Sequence, residues 1–487
     1  MKLSEFRTQV DKNKKKRVNT VKKEYLQKKQ IISEQSKQIN FESNIYNKSS
    51  NLKELINNES KEEQKFDLGK VKIIGVTGSK GKSSVCYLVH KYLMLKGKKS
   101  ILYSSIEVDS KASIKNKMPL EVALSSSNTI CEILDEVEYY GADYVIVEVN
   151  ESAIEQGFVK NVPFTVRALT NIIPDCNLEQ YDEKDYVHLK EAFFKDVDNS
   201  DNCKCVIGLT GYFDRLKFNN FLNLNDFEKI TYASKSKCKA KNADYTNLDL
   251  LYYDESDSIN GTSFNLRVKN RVYHLNSNLL LPHSIDNIIC ALGVIEALGE
   301  FDEDIVQKLL SNITIPGREE IIKVNGRYII IGVFLVPMLS MLKKYKIQDK
   351  LNRIKVVCGM PGVGFKTWKN HLNSERRIKL LDYIYRDAMI CVKKNADYVY
   401  LTSNDPAASN PMEICTKLQN HINNEIPSKI LIDRKKAIRQ AIVESNVNDV
   451  IYIAGRGNRR LFCKSYDKMD IYTDKEVVMD VLKELGW

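Results

Sequence analysis

The stretch IIGVTGSKGKSSV, residues 73–85, joins an apolar run to two glycines, two lysines and two serines. Those residue types at that spacing suit a polyanion. Glycines let backbone N–H groups turn toward phosphate oxygens, and a helix that starts there adds the positive end of its dipole. In this reading Lys82 reaches the β- and γ-phosphates of ATP, and the Ser83 hydroxyl holds Mg2+. Gly78 and Gly81 supply the backbone freedom, and Thr77, Ser79, Lys80 and Ser84 complete the cradle. The common phosphate loop, G-x-x-x-x-G-K-[ST], needs a glycine at position 76, where this chain has Val76.

The elements around the loop fit the same chemistry. VKIIGV reads as a buried strand. Ser83 to Lys96 reads as a helix with Val85, Leu88, Val89, Tyr92 and Leu93 on one face, stopped at Gly97. ILYSS, DYVIVEV, FTVRALTN and CKCVIGL follow as further strands, the rhythm of a parallel sheet covered by helices. A more antiparallel passage spans about 231–281, and a helix over 285–298 closes the region. IPGREE, at 315–320, reads as a hinge. A second αβ alternation then runs through RYIIIGVF, RIKVVCG, ADYVYLTS, SKILI and DVIYIAGRG to a last helix over 474–485. The expected fold class is α/β: a central P-loop parallel-sheet ATPase domain, 67–314, then a Rossmann-like C-terminal α/β domain, 315–487, with a helical N-terminal arm, 1–66.

Composition narrows the classes of function. At 487 residues, 43% hydrophobic and 28% charged, the chain can bury two or three cores. No run approaches the ~20 apolar residues of a membrane span, and the N-terminus lacks a signal-peptide core, so a cytoplasmic location is expected. Residues 1–65 carry 16 Lys and Arg against 9 Asp and Glu, hence +7 of the net +11. The body is close to neutral, which argues against a nucleic-acid partner. The arm has a thin apolar stripe at helical spacing and no Gly or Pro, and is a candidate surface for a protein partner. The 11 cysteines include no C-x-x-C pair, and no Cys/His set has zinc spacing.

GVTGSKGKSS resembles the G-x-T-G-T-[NK]-G-K-[ST]-[ST] signature of the Mur ligases and the related folylpolyglutamate and poly-γ-glutamate synthetases. That resemblance implies ATP-driven activation of a carboxylate as an acyl phosphate, which an amine then attacks. VIVEVNESAIEQGFV is similar to the family's EVSSHAL..GRV and implies a Mg2+ role for Glu148. LTNIIPDCNLEQYDEKDYVHLKEAFF resembles TNLS.DHLDYHG...Y..AK..LF, with Thr170, Asn171, Asp175, Tyr186, Lys190 and Phe194 in register. It sets Lys190 on the lysine the family carbamylates, a catalytic and metal-side position beside Lys82 and Glu148. By the same resemblance Asn287, in LPHSIDNIICALG, and Arg318, in PGREE, are nucleotide residues. Asn171, with Asn404, Asp405 and Pro406 in LTSNDPAASNP, is placed on the substrate side. VVCGMPG and YIAGRGNRR resemble motifs of the tripeptide-synthetase branch, the ligases adding the third residue of the peptidoglycan stem.

The chain also departs from that pattern. Ser152 stands at a metal-ligand histidine. The closing loop D-Y-A-H-x-P becomes GVFLVP, Gly332 to Pro337, which removes its acidic and histidine groups. Arg459 replaces a carboxylate, and Ala407 replaces the arginine that clamps diaminopimelate. The lysine-rich arm stands where the branch has its UDP-sugar domain. Three functions stay open: a ligase joining an amino acid to a small-molecule or peptide carboxylate, a non-catalytic ATP-binding regulator or scaffold, and a poly-γ-glutamate-type ligase.

Overall fold

The computed structural model describes residues 70–487 except 107, 110–136, 138–139, 158, 160–161, 174–182, 196–202, 209–227, 241–246, 281, 363–373, 407–408 and 465–468. The arm over 1–66, Asp175 and Ala407 lie outside the described residues.

Ten strands form the first sheet: β1 (Lys72–Thr77), β2 (Ser100–Tyr103), β3 (Val108–Asp109), β4 (Tyr144–Glu148), β5 (Phe164–Leu169), β6 (Lys204–Gly208), β7 (Glu228–Ser234), β8 (Leu250–Ser258), β9 (Gly261–Val268) and β10 (Arg271–Ser277). Their order is β10-β9-β8-β7-β6-β5-β1-β4-β2-β3. The run from β2 to β8 is parallel, and β3, β9 and β10 are antiparallel additions at the two edges. The helices of this half are α1 (Lys82–Leu95), α2 (Glu151–Glu155), α3 (Glu183–Lys195), α4 (Lys235–Ala240), α5 (Pro282–Ala297) and α6 (Glu303–Asn312).

The period of two along each strand sorts its side chains between the two faces. Ile74, Val76 and Ile146 pack with Val85, Leu88, Tyr92, Ile288 and Leu292 of α1 and α5. Ile73, Val145 and Val147 pack on the other face with Tyr186, Phe193 and Phe194 of α3. A strand buried on both faces reads as a continuous apolar run, which is why VKIIGV carries no polar alternation.

The second sheet has the order β11-β12-β16-β13-β14-β15, built from β11 (Glu320–Val324), β12 (Arg327–Gly332), β13 (Ile354–Cys358), β14 (Tyr398–Leu401), β15 (Ser428–Ile430) and β16 (Val450–Ala454). Only β11 runs antiparallel. The helices α7 (Leu335–Gln348), α8 (Ser374–Asn395) and α9 (Pro411–Ile422) cover one face, and α10 (Arg434–Val443) and α11 (Asp474–Glu484) the other. A hairpin of β17 (Leu461–Cys463) and β18 (Met469–Ile471) lies after β16. Both sheets belong to one compact unit, Gln64–Trp487.

Two expectations shift. The strand read through Phe334 ends at Gly332, and Phe334 becomes the N-cap of α7. Pro337 then falls in the first helical turn, where a missing N–H costs nothing. The short edge strand β11 and the β17–β18 hairpin went unread.

One buried charge cluster ties the second sheet to its helices. Arg434, at the start of α10, donates to both carboxylate oxygens of Asp474 at 2.8 and 2.7 Å and to the Ala454 carbonyl at 2.9 Å. Arg456 lies 3.7 Å from the same carboxylate and is sandwiched by the rings of Phe462 and Tyr472. All three charged side chains are 0% exposed.

Candidate nucleotide-binding and ligase site

β1 lies between β4 and β5, with Val76 opposite Glu148 and Thr77 opposite Leu169. The carboxyl ends of three parallel strands therefore meet where α1 begins, the usual place for a ligand in an open α/β sheet. Gly78 (φ 142°) and Gly81 (φ 87°) hold conformations that side chains rarely adopt. A Cβ on Gly78 would sit 2.1 Å from Thr170 Oγ1, and one on Gly81 would sit 2.1 Å from Asn287 Oδ1. Neighbouring side chains thus press the loop backbone close on both sides.

Other residues fix the loop's shape. Asn171 Oδ1 accepts from the Lys80 N–H at 3.0 Å, and its Nδ2 donates to the Lys80 carbonyl at 2.9 Å. Thr170 Oγ1 donates to that carbonyl at 2.6 Å. Ser79 Oγ accepts from the Ile173 N–H at 2.7 Å and meets Tyr186 Oη at 2.8 Å. Thr77 Oγ1 donates to the Val149 carbonyl at 3.0 Å. Lys82 Nζ donates to the Gly78 carbonyl at 2.7 Å, curling over its own loop. Ser84 is buried in the first turn of α1.

At the base of the loop Ser83 Oγ donates to Glu148 Oε1 at 3.0 Å and meets Ser105 Oγ at 2.8 Å. The Ser105 N–H donates to the other Glu148 oxygen at 2.8 Å. These are hard oxygen donors on one spot, the chemistry that suits a Mg2+ shared with phosphate and water. No group of three or more His, Cys, Asp or Glu with metal-holding geometry occurs among the described residues.

Lys190 is fully buried and is an ion-pair partner, 2.7 Å from Glu151 Oε1 and 3.2 Å from Thr77 Oγ1. Burial, joined by repulsion from Lys82, lowers its ammonium to about 8 against the pull of Glu151. Burial would raise the Glu151 carboxyl, but Lys82 and Lys190 outweigh it and bring it down to about 2. As an ammonium Lys190 cannot ligate a metal. Glu151 and Ser105 were not anticipated, and Tyr186, in register with the resembled motif, had been given no role at the loop. A carboxylate three residues past Glu148, opening a helix capped by Asn150, was the available signal for Glu151.

The loop faces the second sheet across a cleft of about 810 Å³. The far wall comes from Val333, Phe334 and Leu335 after β12, with Tyr383 and Ala388 of α8 and Arg459. Arg318 and Glu319 line the cleft where the chain crosses between the sheets. Phe334 stacks under the Lys80 ammonium, 4.7 Å from ring centre to Nζ. Desolvation lowers the Arg318 guanidinium, opposed by Glu319 and Glu148.

The substrate-side residues fall differently. Asn171 spends its amide on the loop. Asn404, Asp405 and Pro406 are not among the residues lining the cleft. Asn404 Nδ2 donates to the Gly359 carbonyl at 3.0 Å, and Asp405 accepts from the Cys463 N–H at 3.1 Å. Arg459 Nη1, 3.9 Å from Asp405 Oδ2, links that corner to the cleft. Asn287, set among the nucleotide residues by the resemblance, lies against the phosphate loop at Gly81.

Gly81→Ala sets strain at φ 87° against the Asn287 contact. It is expected to weaken ATP binding by roughly tenfold to a hundredfold. Calorimetric titration well below the variant's melting temperature, which the strain itself should lower, reads the loss apart from unfolding.

Residues 76–295 match the model of the Mur ligase middle domain. The chain is 25% identical over 433 residues to a UDP-N-acetylmuramoyl-L-alanyl-D-glutamate--2,6-diaminopimelate ligase of Caldanaerobacter subterraneus, covering 85% of this chain and 79% of that one. It is 26% identical over 426 residues to a UDP-N-acetylmuramyl-tripeptide synthetase of Borreliella afzelii, covering 85% and 78%. In fold it is similar to the MurF ligase of Thermotoga maritima in complex with ADP, at a TM-score of 0.53 and 14% identity over 85% of this chain and 80% of that chain. No helix among the described residues is long and apolar enough to cross a membrane.

Proposed function

We propose that the chain is a MurE-like Mur ligase, an ATP-dependent acid–amino-acid ligase of peptidoglycan precursor synthesis. One observation carries the reading. A glycine-braced phosphate loop, with Ser83 set 3.0 Å from Glu148, faces the second sheet across a single cleft. The loop N–H groups and Lys82 hold the β- and γ-phosphates at the N-terminus of α1, where the dipole favours negative charge. Ser83 and Glu148 would hold Mg2+, which when bound neutralises phosphate charge. Arg318 brings a desolvated cation to the same cleft, where Coulomb attraction is weakly screened. Catalysis then rests on orientation and on fixed charges meeting the charge that develops on the transferred phosphoryl group.

Lys190 and Glu151 set the charge behind the loop. With its amine near 8, Lys190 has a neutral fraction at physiological pH, the form that reacts with CO2 to give a carbamate. That conversion would turn a cation into an oxygen donor beside Glu148. We take 67–314 as the nucleotide-bearing domain and 315–487 as the domain that brings the amine. Arg459 and the corner of Asn404, Asp405 and Pro406 behind it are the candidate amino-acid side. The acceptor is a small-molecule or peptide carboxylate, and the arm over 1–66 is a candidate protein-partner segment.

The test supplies ATP and Mg2+ with UDP-N-acetylmuramyl dipeptide and either lysine or diaminopimelate, then follows ADP release and product mass. The expected result is ADP formation that needs both the acceptor and the amine, with the product heavier by one amino acid. ATP binding without turnover under every pairing would sink the ligase reading and favour a non-catalytic regulator.

A further inference from the structure

The turn between β8 and β9 carries an apolar residue that the turn itself gives nothing to pack on. The stretch DESDSINGTS is polar but for Ile259, which with Asn260 joins Ser258 to its ladder partner Gly261. Such turns are dominated by Gly, Asn, Asp, Ser and Pro. Ile259 is nevertheless only 1% exposed, and the core that buries it is the one under the second sheet, shared with Leu342, Tyr345 and Leu351. Polar contacts surround the inserted side chain. The Ile259 N–H donates to Asp349 Oδ2 at 2.9 Å, Gln348 Nε2 donates to the Asp257 carbonyl at 2.9 Å, and Lys344 Nζ pairs with Asp257 Oδ1 at 2.5 Å. Lys323 of β11 donates to Asn260 Oδ1 at 2.8 Å.

Lys344, Gln348 and Asp349 lie at the C-terminal end of α7, its foot. The opposite end of α7 is the far wall of the cleft. Phe334 caps it, Leu335, Val336 and Pro337 open its first turn, and the Phe334 ring lies 4.7 Å from the Lys80 ammonium. A helix of 14 residues spans roughly 20 Å. α7 is therefore a strut held to the first half of the chain at both ends, at its foot by the β8–β9 tip and at its head by the phosphate loop. Between the tip and the crossing at 315–320 the two halves part around a cavity of about 300 Å³, lined by Asn260, Leu279, Ile315, Arg318, Ile321 and Lys323. Close packing does not join the halves there, so alignment falls to the tip.

We propose that Ile259 is a positioning residue: the β8–β9 tip clasps the foot of α7 and thereby sets the wall at Phe334 at its working distance from the phosphate loop. The assignment rests on the ligase reading. ATP phosphates are held by residues of the first half, which the clasp does not touch, whereas joining an activated carboxylate to an amine needs both walls in register. The experiment compares wild type, Ile259→Asn, Ile259→Val and the double variant Lys344→Ala with Gln348→Ala, each in the full chain. Calorimetry reads ATP affinity. ADP release with UDP-N-acetylmuramyl dipeptide and lysine or diaminopimelate reads turnover, and amide hydrogen exchange reads the seating of α7. Ile259→Asn is expected to bind ATP as wild type does, to turn over about tenfold to a hundredfold more slowly, and to exchange faster over 257–260 and 344–349 while β1, β4 and β13 stay protected. Ile259→Val is expected to keep wild-type turnover. Should the asparagine variant fail to fold, the double variant, which removes only exposed side chains, is expected to show the same split at smaller size. Wild-type turnover in a variant whose α7 foot exchanges faster overturns the proposal. Parallel loss of ATP affinity and turnover also overturns it, because the tip would then serve only general stability. A wild type that binds ATP and never turns over removes the ligase reading, and exchange still judges the clasp: a foot of α7 equally protected in wild type and both clasp variants overturns it.

Discussion

Lys82→Ala is expected to reduce acceptor-dependent ADP formation by about 10²- to 10³-fold, the usual cost of removing one fixed charge donor from a transition state. The side chain is almost enclosed and rests on its own loop, donating to the Gly78 carbonyl. Its loss leaves no cavity in a core, so melting temperature should barely move. The electrostatic consequence reaches further. Lys82 is among the cations that lower Glu151 and is the charge that helps lower Lys190. Without it the Lys190 ammonium holds its proton to higher pH, and the neutral amine becomes scarcer near pH 7. Residual activity should therefore rise with pH more steeply in the variant than in wild type. Single-turnover rates from pH 6 to 9 would show this. A variant within threefold of wild type at every pH would remove Lys82 from the mechanism.

Asp474→Asn is expected to cost about 3–5 kcal/mol of stability, because it strands two guanidiniums in a dry interior. Asp474 is the only carboxylate within ion-pairing distance of Arg434 and Arg456 among the described residues, and all three side chains are 0% exposed. The asparagine keeps the shape and removes the charge, so packing loss is small and the effect reads as electrostatics. Asp382, about half exposed and 3.2 Å from Lys417, is the natural control. Asp382→Asn should cost less than about 1 kcal/mol, since water screens that pair. Urea unfolding of both variants, followed by tryptophan fluorescence, gives the comparison. Equal midpoints would mean that the buried cluster contributes nothing net.

The sequence was most legible where the chemistry is local. The phosphate loop needs its glycines, Lys82 and Ser83 within a few residues, flanked by an apolar strand and an amphipathic helix, and all of that lies in one short stretch. Glu148 was reachable because it ends a strand of the same kind. Legibility faded where a role depends on residues far apart in the chain. Glu151 matters through Lys190, Tyr186 reaches Ser79 from α3, and Glu319 meets Gly332 only after two strands pair. The closing loop illustrates the limit. Read along the chain, GVFLVP carries no acid, yet in space the Glu319 carboxyl, from the residue before β11, lies against Gly332. The boundary error at Phe334 has a similar source. IIIGVF is apolar throughout, and periodicity cannot tell a buried strand from the first turn of a buried helix.

Gly317 and Gly457 pack back to back. A Cβ on Gly457 would fall 2.5 Å from the Gly317 carbonyl oxygen, and one on Gly317 would fall 2.0 Å from the Asn458 nitrogen. Asn458 Nδ2 also donates to the Ile106 carbonyl at 2.7 Å, across 352 positions of sequence. This junction has a bearing on biosynthesis. A nascent chain can pair β1 with β4 and β5 as soon as those strands emerge, but the wall opposite the phosphate loop cannot be seated until position 458 has left the ribosome. The completed ATP-binding half thus waits through the synthesis of about 140 further residues with its apolar cleft surface uncovered, the interval in which it most needs a chaperone or a bound nucleotide.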